Sequence, residues 1–158
     1  MQVWRIASAG LQHKADDLSG RGAELTGGRW NSKGLPAVYC AAQVSLACLE
    51  TLVHLNAASL PLNRYVVEVT IPDSVWEKRT IATVKKLPVT WGSIPAGMES
   101  VAFGDAWLKA NKAAVLQVPS AIVAQDHVVL INPRHPDAKR IKAVVRERFM
   151  YDGRLLLT

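Results

Sequence analysis

VYCAAQVSLACLETLVHL, residues 38–55, holds the transition that decides the fold. Its first four residues, Val38-Tyr39-Cys40-Ala41, read as a buried strand, and two residues later the run 44–55 is long enough, and rich enough in Leu and Ala, to be a helix. At about 100° per residue, Leu46, Leu49 and Val53 cover one side of that helix and Cys48, Leu52 and Leu55 the opposite one, so substantial burial is expected. One stripe differs: Gln43, Ala47, Glu50 and His54 fall together, setting a carboxylate and an imidazole at i, i+4 on an otherwise apolar helix.

Outward from this core, residues 3–6 read as a short opening strand and 12–28 as a polar, Gly-rich loop. Downstream, 64–71 alternates as a strand stopped by Pro72. Residues 85–97, with Pro88 and Pro95, read as loop, and 100–112 as an amphipathic helix. Strands are expected at 114–118, 127–131 and 144–149, with a helical turn from Pro136 and a last short strand at 155–157. Strands and helices mix without a βαβα rhythm. The expected class is therefore α+β, a mixed or antiparallel sheet with flanking helices, rather than a doubly wound parallel sheet. No repeat or composition shift divides the 158 residues, so one compact domain over 1–158 is expected.

Hydrophobic residues at 49% and charged residues at 20% exclude disordered and fibrous classes. No run approaches the roughly 18 apolar residues of a membrane span, and the start lacks a secretory pattern, so a cytoplasmic protein is expected. Cys40 and Cys48 form no CxxC pair and read as small buried hydrophobes. The net charge of +6 suggests an anionic partner. Residues 134–158 supply most of it, seven Lys and Arg against three Asp and Glu, but without the interleaved aromatics of a nucleic-acid surface.

Dinucleotide, Walker, HExxH and GxSxG signatures are missing from the sequence, and His13, His54, His127 and His135 have no metal-ligand spacing, so no metal is expected. Three features carry chemistry. Glu50 is a cleft carboxylate or a buried structural ion pair. Gly27-Gly28-Arg29-Trp30-Asn31 lets backbone approach a ligand while Arg29 offers a planar fork matched to phosphate oxygens, with Tyr39 nearby. The alternative is a turn with Trp30 in the core. Val118-Pro119-Ser120-Ala121-Ile122 places a small hydroxyl just after a strand end.

Taken in order, Trp4-Arg5-Ile6, Gly28-Arg29-Trp30-Asn31, Val38-Tyr39, Leu49-Glu50-Thr51-Leu52-Val53-His54, Pro119-Ser120-Ala121-Ile122 and Asn132-Pro133-Arg134-His135-Pro136 resemble the RES domain, named for its Arg, Glu and Ser. The resemblance implies a fold similar to diphtheria-toxin-type ADP-ribosyltransferases. It also implies the toxin half of an Xre–RES toxin–antitoxin module, which degrades NAD by hydrolysis or phosphorolysis. Its partner would be an Xre-type helix-turn-helix antitoxin, operator DNA would be reached only through that antitoxin, and a homodimer stays open. The resemblance maps Arg29, Tyr39, Glu50 and Ser120 onto the active site, with no motif to compare between Pro72 and Gly97.

The residue types suit that chemistry. Cleaving the nicotinamide–ribose bond develops an oxocarbenium-like cation that a fixed carboxylate, Glu50, can stabilise. Tyr39 can stack on the cationic ring, and Arg29 can grip the pyrophosphate. Ser120 can hold Glu50 or the ribose in register, with Arg5 or His54 in support. NAD is then a substrate. Two other readings remain: a protein ADP-ribosyltransferase, since water, phosphate or a protein nucleophile can each capture the cation, and a non-catalytic basic binding module.

Overall fold

Seven strands form one mixed sheet in the order β4-β5-β6-β2-β1-β3-β7, in a computed structural model that describes residues 1–11, 13–55 and 61–156. The strands are β1 (Gln2–Ser8), β2 (Val38–Ala41), β3 (Arg64–Thr70), β4 (Thr80–Ile81), β5 (Val115–Pro119), β6 (His127–Ile131) and β7 (Lys142–Phe149). Every pairing is antiparallel except β4 with β5. Among the described residues, four α-helices accompany them: α1 (Arg21–Thr26), α2 (Val44–Leu52), α3 (Asp73–Trp76) and α4 (Met98–Ala110). The α+β architecture expected from the mixed order of elements is the one observed.

Strand alternation divides the core between the two faces of the sheet. On one face Val3, Val38, Cys40, Val67, Val69 and Ile131 pack with Val75 of α3. On the other, two clusters lie side by side. Under α4 are Trp30, Trp107, Leu108, Leu116 and Leu130, and under α2 are Ile6, Ala41, Leu46, Ala47, Val66 and Tyr151. Tyr39, between Val38 and Cys40 on β2, points to this second face and packs against the α4 cluster.

Several expectations need correction. The 12–28 loop contains α1, entered through Gly20 at φ 72° and left through Gly27 at φ 71°, backbone that glycine adopts without Cβ strain. An Arg21–Glu24 ion pair at i, i+3 crosses its exposed side. The strand expected at 155–157 is instead a 3₁₀ turn, Gly153–Leu156, begun where Asp152 accepts from the Arg154 N–H, and residue 157 lies outside the described residues. Helix α2 ends at Leu52, and only Leu46 and Ala47 are fully buried in it. Leu49 is 37% and Val53 59% exposed, because α2 lies on the sheet through one side alone and its other side is open. His54 therefore sits in an exposed turn beyond the helix, and the i, i+4 pairing with Glu50 inside one helix does not form.

Candidate active site

Glu50, half-buried on α2, meets Ser120 across the sheet. Ser120 is fully buried just past β5, and its Oγ donates to Glu50 Oε1 at 2.7 Å. The same Oγ accepts from the backbone N–H groups of Ile122 (3.0 Å) and Val123 (3.2 Å). Two N–H donors aimed at the oxygen leave its single hydrogen for the carboxylate, so the bond direction is fixed and Glu50 is held in one orientation. At the same end of α2, the Tyr151 hydroxyl donates to Thr51 Oγ1 at 2.6 Å, pinning the residue next to Glu50 from near the far end of the chain.

The turn bearing Arg29 is gripped from both sides. From the sheet, the Tyr39 hydroxyl accepts from the Trp30 N–H (3.0 Å) and donates to Asn31 Oδ1 (2.7 Å). Asn31, 1% exposed, spends its Nδ2 hydrogens on the carbonyls of Ala23 (2.8 Å) and Leu35 (2.9 Å). An added Cβ on Gly28 would stand 2.6 Å from the Tyr39 hydroxyl, so only glycine admits that close approach. From the helical layer, Asp105 of α4 accepts from Ser32 through both its N–H (2.8 Å) and its Oγ (2.6 Å). Gly104 lies directly against the Trp30 carbonyl.

Burial pushes the Tyr39 hydroxyl far above its ordinary value, and the Trp30 N–H offsets only part of that. Arg29 and Glu50 are both close enough to be felt there, Arg29 pulling the value down and Glu50 raising it. Tyr39 thus stays protonated through the physiological range, with its hydroxyl committed to the turn. Arg29 itself is half-buried, and its Nη1 donates to the backbone carbonyls of Trp91 (2.7 Å) and Ser93 (3.0 Å). The structure therefore joins Ser120 to Glu50 directly, ties Tyr39 to the turn that carries Arg29, and leaves Tyr39 within electrostatic reach of both Arg29 and Glu50.

It does not bring Arg5 there. Arg5 alternates on β1 with Trp4 and Ile6, which face α2, so it points to the opposite face, beside Cys40, and donates to the Asp17 carbonyl at 3.1 Å. His54 is exposed outside the helix. Sequence reasoning missed Asp105 and the carbonyls of Trp91 and Ser93. The first has no local motif, and backbone acceptors leave no mark on side-chain identity. Asn31 was quoted within a motif, yet its three-way role needs the fold.

Comparison with known proteins agrees with this architecture. The RES domain family model matches residues 2–152. A "Prs ADP-ribosylating toxin" of Sphingobium sp. (strain YBL2) is 51% identical over 153 residues, which cover 97% of this chain and 95% of that one. A "Toxin Res" of Yersinia enterocolitica is 35% identical over 156 residues, 98% of this chain and 99% of the other. Among solved structures, the M. tuberculosis MbcT–MbcA toxin–antitoxin complex contains a chain that superposes with a TM-score of 0.68 at 20% identity, over 98% of this chain and 86% of that one. With a family match over nearly its whole length and relatives aligned end to end, the chain belongs to the RES domain family.

Proposed function

We propose that this chain is the toxin of a toxin–antitoxin module and that it cleaves the nicotinamide–ribose bond of NAD. The observation that carries the reading is the Ser120–Glu50 hydrogen bond, which fixes a carboxylate whose charge, like that of Arg29, reaches Tyr39. Nicotinamide leaves with the electron pair of the broken C–N bond, and positive charge spreads over the ribose carbon and ring oxygen. Glu50 stabilises that charge as it appears, which favours the transition state over the substrate. Tyr39 presents its ring to the cationic nicotinamide, Arg29 takes the pyrophosphate, and Ser120 keeps Glu50 in register. An acceptor then bonds to the ribose carbon and loses a proton.

Water, phosphate or a protein nucleophile can be that acceptor. A protein is favoured by the 51% identical relative, whose name describes ADP-ribosylation. NAD hydrolysis or phosphorolysis is the competing outcome of the same cleavage. The neighbouring toxin–antitoxin complex supports an antitoxin as partner. An Xre-type antitoxin would bring the pair to operator DNA, and the cytoplasm, where NAD and such DNA reside, is the place of action.

Incubation with adenylate-labelled NAD, in buffer alone, with phosphate and with cell lysate, tests the reading. Transfer is expected to give a labelled protein band only with lysate. Equal NAD loss in buffer alone, with free ADP-ribose as product, would make the chain a hydrolase. A phosphorylated ADP-ribose formed only with phosphate would make it a phosphorylase. Intact NAD in all three would overturn the NAD assignment.

A further inference from the structure

The segment between residues 88 and 97 has no motif, yet it is the only partner the described residues provide for the Arg29 guanidinium. Both contacts come from one nitrogen: Nη1 donates to the carbonyls of Trp91 and Ser93, so its two hydrogens are both used. What remains free is the edge formed by Nε and Nη2, the side-on fork that meets a phosphate with two parallel hydrogen bonds. The loop is itself tethered. Trp91 is half-buried against the cluster under α4, Thr90 Oγ1 donates to Glu99 in the first turn of α4, and the Trp91 and Ser93 N–H groups close turns onto Pro88 and Thr90.

We propose that the 88–97 loop, anchored by the Trp91 side chain, belongs to the substrate site as a positioning element: it saturates Nη1 of Arg29 and thereby presents the Nε–Nη2 edge to the pyrophosphate. This rests on the NAD reading of the site. Arg29 has four rotatable side-chain bonds, and without the two carbonyls it would sample many orientations, each ordered at substrate binding at a cost in affinity. Trp91 acts through Arg29 and touches no reacting atom. Its loss should raise KM while leaving kcat nearly unchanged.

The test measures NAD affinity by calorimetry in the Glu50→Gln background, so that substrate is not consumed. Arg29→Ala is expected to weaken NAD binding by about thirtyfold and Trp91→Ala by about tenfold, with Trp91→Phe, which keeps the apolar anchor, within about threefold of the parent. The double variant Arg29→Ala/Trp91→Ala should bind no more weakly than Arg29→Ala alone, because Trp91 has nothing left to position. Arginine-selective nitrogen NMR gives a second readout. Nη1 and Nη2 of Arg29 should appear as separate signals in the parent and merge in Trp91→Ala. Additive losses in the double variant, or separate Nη signals that survive Trp91→Ala, would overturn the positioning role. If Arg29→Ala bound NAD as tightly as the parent, the pyrophosphate role of Arg29 would fail instead. Should Trp91→Ala not fold, the Trp91→Phe variant and the parent NMR spectrum still decide: a single averaged Nη signal in the parent would exclude the saturated geometry.

Discussion

A carboxylate held by a buried hydroxyl is a device of one residue's charge and another's single hydrogen, and it can be separated from packing by substitution. Glu50→Gln keeps the shape of the side chain and can still accept from Ser120, while removing the charge that the proposed function sets against the oxocarbenium ion. NAD turnover is expected to fall by at least about a hundredfold, as when one preorganised electrostatic group is lost, with the melting temperature little changed. Turnover within a few-fold of the parent would return Glu50 to a structural role. A different residue contributes to the alkaline limit. Burial raises the Cys40 thiol from 9.0 to about 11. A raised folded-state value favours the neutral thiol in the fold, so this contribution is complete below pH 9 and is lost as pH rises toward 11, about 2–3 kcal/mol in all. Urea titrations at stepped pH should show stability falling across that window and a shallower fall in Cys40→Ala. Cys48, only partly covered, and the buried Tyr39 hydroxyl are shifted the same way and leave a residual slope. An identical slope in Cys40→Ala would show that the thiol is not responsible.

At the scale of elements, the contact between α4 and the arginine-bearing turn decides between two opposing effects. Gly104 stands seven residues into a 13-residue helix, where alanine would ordinarily be better by about 1 kcal/mol. An added methyl there, however, would collide with the backbone of Trp30, and backbone cannot swing aside as a flexible side chain can. Overpacking of this kind costs about 1–3 kcal/mol and should outweigh the propensity gain, so Gly104→Ala is expected to be less stable in urea and to bind NAD more weakly through displacement of Arg29. A stabilised Gly104→Ala would mean that α4 can slide away freely. The same contact shows what the sequence could and could not disclose. The buried run 38–41 and the alternation of 64–71 made β2 and β3 legible, and the strand expected at 127–131 is observed at His127–Ile131. The short α1 was hidden because glycines that read as loop are also the residues that cap a six-residue helix. Burial of α2 was overestimated because a helical wheel reports which residues share a side and not whether another layer covers it. Arg29, Tyr39, Glu50 and Ser120 were singled out by motif and resemblance, and the structure joins Ser120 to Glu50 and Tyr39 to the turn that carries Arg29. Asp105 and the Trp91 and Ser93 carbonyls depend on pairings about 60 to 75 residues apart in sequence, which no local pattern encodes.

For the whole molecule, charge and site geometry bear on control. Part of the basic C-terminal segment is paired with acids: Arg146 with Glu68 (2.9 Å), Arg140 with Asp137 (3.2 Å) and Arg154 with Asp152 (2.6 Å). These pairs are already netted in the +6 total, and the segment lacks the interleaved aromatics of a nucleic-acid surface, so tight, strongly salt-dependent DNA binding by the isolated chain is not expected. Arg29 differs, because its partners are neutral carbonyls and its charge stays available at the site. An anionic segment of an antitoxin would find there the same fork that NAD finds. The expected mode of neutralisation is therefore direct occlusion, with a carboxylate, chain terminus or bulky apolar group of the antitoxin placed near Arg29 and Tyr39. Occlusion makes the two ligands exclusive, and linkage then requires reciprocity: whatever factor the antitoxin removes from NAD affinity, saturating NAD removes from antitoxin affinity. Calorimetric titration of NAD into the Glu50→Gln toxin, alone and in complex with its antitoxin, measures both sides of that cycle. Binding is expected only to the free toxin, and Arg29→Ala should weaken the antitoxin as well as NAD. Undiminished NAD affinity in the complex would place inhibition elsewhere, through conformation or through sequestration on DNA, and would leave Arg29 with NAD as its only anionic partner.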